Sequence, residues 1–291
     1  PDLPEADLDI AGSVDRDRLV LERLEGQVLR GRVSGSGRLA WTGDQAWSAR
    51  ATARNLDIGS VRPDLPGTAS FTGTVEGRGF TPASPWTVRL ASLSGTILGR
   101  SLAGSGEVDH RDGTYELRRV RIVNGASHVN VDGRWGPTID LQWDADIRTL
   151  ALLHPDLSGQ VISSGHARGS PARPAVTAQA QASRLQWGEL SAGDLQADLD
   201  LDLGDQGLSH AELRATSIDL GMIKLDAATL AASGQAGDHE MSLEFSSPGD
   251  AERQMPGFRA RLAASGGYDA SRKDWRGSLD DAWIEFPDGR A

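Results

Sequence analysis

The chain has 291 residues, a formal net charge of −11 and no cysteine. That removes disulfides, thiolate metal sites and cysteine nucleophiles, and it disfavours nucleic acid as a partner, because an acidic chain repels phosphate backbones. Apolar residues make up 38% and aromatic residues 5%, beside 35 glycines: too little for a packed globule of this length, yet too regularly placed for disorder.

A sheet with one solvated face reconciles these facts, and period-two alternation runs along the chain. In order it appears at Trp47-Ser-Ala49-Arg-Ala51, Trp86-Thr-Val88-Arg-Leu90, Val129-Asn-Val131 and Ile139-Asp-Leu141-Gln-Trp143-Asp-Ala145-Asp-Ile147. It continues at Val176-Thr-Ala178-Gln-Ala180, Leu195-Gln-Ala197-Asp-Leu199-Asp-Leu201-Asp-Leu203, Met241-Ser-Leu243-Glu-Phe245 and Phe258-Arg-Ala260-Arg-Leu262. Side chains on a strand point alternately to opposite faces, so each segment has one apolar and one charged side. Turn signals punctuate the strands at Thr42-Gly43-Asp44, Arg111-Asp112-Gly113, Gly136-Pro137, Gly204-Asp205-Gln206-Gly207 and Ala270-Ser271-Arg272. Such close turns predict an antiparallel meander. Residues 56–65 and 146–157 each have room for one short helical turn, ended by Pro63 or Pro155.

Two internal repeats stand out. Leu21, Leu24 and Gly26, followed by Gly35 and Gly37, recur 69 residues later as Leu90, Leu93, Gly95, Gly104 and Gly106. Pro63-Asp-Leu65-Pro-Gly67, Gly73 and Gly77 recur 92 residues later as Pro155-Asp-Leu157-Ser-Gly159, Gly165 and Gly169. The unequal offsets indicate degenerate repeats with insertions, and no composition break marks a linker, so residues 1–291 read as one continuous element. Glycines inside strands, here Gly73, Gly77, Gly133, Gly165 and Gly169, mark bulges, bends or close backbone approach, which would let a long sheet curl over its apolar side.

The phrase Leu157-Ser-Gly159-Gln-Val161, Gly165, Gly169, Pro174, Val176, then Leu185-Gln-Trp187-Gly-Glu-Leu190, resembles the TamB family of translocation and assembly module subunits, within the wider AsmA-like group. The stretch Leu65–Leu90 has the same layout. The resemblance covers nearly the whole chain as a pattern of degenerate strands. It implies an all-β fold: a long, curved, mostly antiparallel sheet folded into a trough (a β-taco) with an apolar interior. It implies a periplasmic location in a Gram-negative bacterium, with the parent anchored in the inner membrane by a segment outside this chain. Its implied work is passage of phospholipid between inner and outer membrane, and support of outer-membrane and autotransporter protein assembly with the barrel protein TamA. The partners are then phospholipid acyl chains, TamA through segments outside this chain, and nascent outer-membrane β-barrel proteins. No catalytic residue, metal or cofactor carries over. The chain starts at Pro1 without Met and stops soon after Trp283-Ile284-Glu285-Phe286; it reads as an internal fragment, and the absence of a span or leader says nothing of the parent.

An acyl chain needs a continuous apolar lining, each buried methylene being worth ~0.8 kcal/mol, whereas a phosphate is costly to bury. The candidate lining residues are Trp47, Val88, Leu90, Val129, Val131, Ile139, Leu141, Trp143, Leu199, Leu201, Leu203, Met241, Leu243 and Phe245. In a closed sandwich the same residues would be ordinary core. With on the order of 20–25 strands roughly 4.8 Å apart, the element is a track more than a pocket.

Other constellations read as structural. Asp198, Asp200 and Asp202, with Asp205, form a solvated strand face and lack a calcium-loop pattern. His110, His128, His154, His166, His210 and His239 are dispersed and belong at surface or strand-end positions; Ser127 and His128, as strand neighbours, face opposite ways. No nucleophile elbow or phosphate loop is present, so an enzyme is not expected. Two alternatives stay open: a strand-templating scaffold for outer-membrane β-barrel proteins, and a surface β-solenoid adhesin. The second would show short coils and no hairpins.

Overall fold

The computed structural model describes residues 6–204, 207–235, 237–249, 255–269, 274–286 and 289–290. Asp205, Gln206 and the expected turn at Ala270-Ser271-Arg272 lie outside the described residues. The chain forms two compact units, one ending at Pro137 and the other beginning at Thr138.

The first unit holds β1 (Ala6–Val14), β2 (Arg18–Val28), β3 (Gly31–Ala40), β4 (Ala46–Asp57), β5 (Gly67–Arg78), β6 (Trp86–Ile97), β7 (Arg100–Arg111), β8 (Thr114–Asn124) and β9 (Ser127–Trp135). The second holds β10 (Ile139–Ile147), β11 (Leu157–Ser170), β12 (Arg173–Trp187), β13 (Leu190–Asp202), β14 (Ser209–Asp219), β15 (Lys224–Gln235), β16 (Asp238–Ser247), β17 (Phe258–Asp269), β18 (Asp274–Phe286) and the two-residue β19 (Gly289–Arg290). The 19 described strands are slightly fewer than expected because individual strands are long, up to 15 residues in β12.

Each unit is an antiparallel meander in which every strand pairs with its sequence neighbour. That is the expected all-β antiparallel fold, and it excludes the parallel coils of a solenoid adhesin. Within each unit, every substantial strand contact also runs between sequence neighbours. Among the described residues no large side chain is fully buried, which a closed two-sheet core would require. The two short helical expectations fall where 3₁₀ turns form, at Ile58–Ser60 and Leu150–Leu152.

The 69-residue repeat is a shared irregularity in the pairing. Leu21 and Leu24 face Gly37 and Gly35 across a bulge between β2 and β3, and Leu90 and Leu93 face Gly106 and Gly104 across the same bulge between β6 and β7. The extra residues bend and twist the strand locally. Two further bulges hold a non-glycine residue in the left-handed region, Asn55 (φ 54°) and Arg119 (φ 49°). A neighbouring strand satisfies the amide each one frees: Asn55 N–H donates to Ser70 Oγ at 2.9 Å, and Arg119 N–H to Asp132 Oδ1 at 2.6 Å.

Candidate functional site

Residues directly opposite in an antiparallel pair share a face, so the register sorts every side chain. In the first unit, Trp47 faces Leu39 and Gly77, Val88 faces Val75 and Val108, Leu90 faces Gly73 and Gly106, and Val129 and Val131 face Ile122 and Val120. These chains of partners make one continuous apolar face. In the second unit, Ile139, Leu141 and Trp143 face Gly169, Ala167 and Gly165. Leu199 and Leu201 face Ala178 and Val176, and Met241, Leu243 and Phe245 lie between Ala232, Leu230 and Ala228 on one side and Ala264, Leu262 and Ala260 on the other. Each unit thus gathers its candidate residues onto a single face. Leu203 follows the end of β13, with its N–H donating to the carbonyl of Pro174 at 3.1 Å.

These faces are only partly covered. Ile139 is buried, but Val88 is 39% and Leu203 41% exposed, and the remaining candidates are intermediate. Among the described residues no large side chain is fully buried, and the buried apolar set is mostly alanine, such as Ala53, Ala69, Ala178 and Ala260. A wall of small side chains punctuated by leucines offers contact area without closing on itself.

Charges keep to the opposite face. In the first unit, Glu107 accepts from Arg89 at 2.7 Å and Arg118 at 3.0 Å, and Arg118 also meets Asp109 and Glu116. The Arg89 guanidinium, ahead of Arg118, holds the Glu107 carboxyl below its ordinary value. In the second unit Asp198 and Asp200 are exposed on the charged face, as expected, and Asp202 caps the following turn by accepting from Gly204 N–H. Among the described residues no three His, Asp or Glu side chains gather as a metal site.

Two placements differ from the sequence reading. His110 is buried, 3% exposed, although it is next to last in β7; it stacks on Trp86 at 5.4 Å and tilts against Tyr115 at 4.7 Å. Its partners come from other strands, so chain-local spacing does not reveal the burial. The second difference is in the second unit, where the apolar face stops before the ends of the strands. Arg184 and Ser217 adopt left-handed conformations. Beyond them Leu185, Trp187 and Ile218 pair with Ala192, Leu190 and Leu225 on the side that carries Asp194. Trp187 is 63% exposed there.

Within each unit, an antiparallel sheet with one apolar and one charged face is the kind of fold the sequence resemblance implies. The model of the TamB N-terminal domain matches residues 1–291. The chain belongs to the TamB family. It is similar to the translocation and assembly module subunit TamB of Haemophilus influenzae, with 24% identity over 270 residues that cover 90% of this chain and 20% of the relative. The chain therefore spans about a fifth of the length of that TamB. No solved structure matches. Among the described residues no helix is long and apolar enough to cross a membrane.

Proposed function

We propose that this TamB-family segment carries phospholipid acyl chains along its apolar face, as part of a periplasm-spanning element between the two membranes of a Gram-negative envelope. In this reading the parent works with TamA in outer-membrane and autotransporter protein assembly, and the segment performs no chemistry on what it carries. The supporting observation is the half-exposed apolar face in each unit, free of charge along the candidate residues. At ~0.8 kcal/mol per methylene, an acyl chain lying there gains several kcal/mol, while its headgroup stays in water at the rim.

The test is to purify the chain without detergent, extract it with organic solvent, and identify co-purified lipid by mass spectrometry. Phospholipid bound by the parent sequence and lost in Leu141→Arg, Leu201→Arg and Leu243→Arg variants supports the conduit. A lipid-free, stable monomer overturns it and favours the strand-templating scaffold.

A further inference from the structure

The two rims of the first unit's apolar face differ in chemistry and in access to water. In register, Trp47 faces Gly77, Gly77 faces Trp86, Trp86 faces His110, His110 faces Tyr115, and Tyr115 faces Trp135. This transverse row is mostly Trp and Tyr, residues with an apolar body and one polar group that sit where an apolar medium meets water. Water reaches the row: Tyr115 is 41% and Trp135 50% exposed. At the other rim the same strands align Leu56, Ala69, Gly95, Leu102, Asn124 and Ser127, without an aromatic ring. That rim is dry, with Ala69 7%, Asn124 6% and Ser127 4% exposed. The link between β4 and β5 packs its 3₁₀ turn on β5 there, and the Pro66 carbonyl accepts from Leu98 N–H at 2.9 Å.

The rows between the rims carry only Gly, Ala, Val, Leu, Ile and Phe. Within them Ala49, Ala51, Phe71, Gly73, Val88 and Leu90 line most of a hollow of about 190 Å³. The depth of this strip has a natural measure. From Trp47 to Ala53 along β4 is ~20 Å at roughly 3.3 Å per residue. One leaflet of hydrocarbon is about 15 Å deep, half of a bilayer's core. The strip thus has room for one acyl chain laid along the strands and too little for two end to end.

We propose that an amphiphile lies along the strands of the first unit, with its polar end at the Trp47–Trp135 rim and its methyl end toward the row of Phe71, Leu93 and Ile122. The inference rests on the lipid-carrying reading above and gives it a polarity: headgroups emerge at one rim only. The aromatic row marks the depth at which chain gives way to headgroup. A polar end at the other rim would give up its water and meet one buried acceptor without a partner, Asn124 Oδ1, whose own amide already donates to the Ile97 carbonyl at 3.2 Å.

The experiment is nuclear magnetic resonance of the deuterated, isotope-labelled full chain with two lysophosphatidylcholine probes below their micelle concentrations. One carries a nitroxide near the ester, the other near the methyl end. The ester probe should broaden amides around Trp86 and Tyr115, and the methyl-end probe those around Phe71, Leu93 and Ile122, each with a roughly tenfold excess over the other probe, since a polar end in a dry site costs about that factor. Val88→Arg, at a site in the hollow that is already 39% exposed, should abolish both patterns while keeping the parent's circular dichroism signal. The reverse pattern assigns the polar end to Asn124 and overturns the polarity, and so do two probes that broaden the same row; either leaves the conduit standing. Broadening of the second unit's apolar face alone also overturns the polarity and leaves the conduit. Broadening of neither face, or broadening that survives in folded Val88→Arg, overturns the conduit and the polarity together.

Discussion

The indole of Trp47 lies across Gly77, its direct partner on the neighbouring strand: a Cβ built on Gly77 would sit 2.4 Å from Trp47 Cζ2. The Trp47 Nε1–H fixes the ring by donating to the Gly79 carbonyl at 2.9 Å. The second unit repeats the device with Trp143 over Gly165, where the corresponding distance is 2.3 Å and Nε1–H donates to Ser163 Oγ. In both, the missing side chain is the space the ring occupies.

Gly77→Ala and Gly165→Ala are therefore expected to destabilise their units by about 1–3 kcal/mol through overpacking. Gly237→Ala, where an added methyl meets nothing within 4 Å, is the matched control and should change stability little. Urea denaturation of the three variants measures this; equal losses at all three sites would refute ring-on-glycine packing.

Asp132 caps the bulge at Arg119 from the next strand. Asp132→Ala leaves the Arg119 amide to water and should cost about 1 kcal/mol, whereas Asp132→Asn keeps an acceptor and should recover much of it. Hydrogen exchange at the Arg119 amide gives the local readout: protection falls in the alanine variant and persists in the asparagine one.

Glu107 carries a pH signature. Its folded-state carboxyl titrates below the ordinary value because of Arg89 first and Arg118 next. A depressed acid stabilises the fold above its unfolded pKa and loses that contribution as pH falls through the lowered folded value. Melting temperature should then drop on acidification below about pH 4, and the drop should be smaller in Glu107→Gln, which starts less stable at neutral pH. Parallel melting curves of the two proteins from pH 7 downward decide it.

Leu141, Leu201 and Leu243 are half-buried on an uncovered face, so an arginine at any one of them can turn its head to water. Each single variant should keep the β-sheet circular dichroism signal of the parent and lose roughly 1–3 kcal/mol of stability. Unfolding of all three would instead mean that the face is a closed core in solution.

Much of this architecture is written in short-range pattern. Alternation at Ile139–Ile147 and Leu195–Leu203 located strands and their apolar side, because period two is a local property. Pro63 and Pro155 marked the two helical turns, and the spacing of Leu21, Leu24, Gly35 and Gly37 against its copy marked a shared bulge. Features that depend on which strand meets which were not legible. The Trp47–Gly77–Trp86–His110–Tyr115 row joins residues from five strands, and only the hairpin register aligns them. The shift of Leu185, Trp187 and Ile218 to the charged side follows left-handed residues at Arg184 and Ser217, two types with no strong preference for that conformation.

Because each strand leans only on the strands before and after it, either unit behaves thermodynamically like a one-dimensional chain of links. A lesion in one hairpin weakens two interfaces and leaves distant ones untouched, so damage stays local and fraying begins at exposed edges. The same economy makes length adjustable: a hairpin added or removed between existing ones extends or shortens the element without repacking a shared core. The unequal spacing of the surviving repeats is the record such editing would leave.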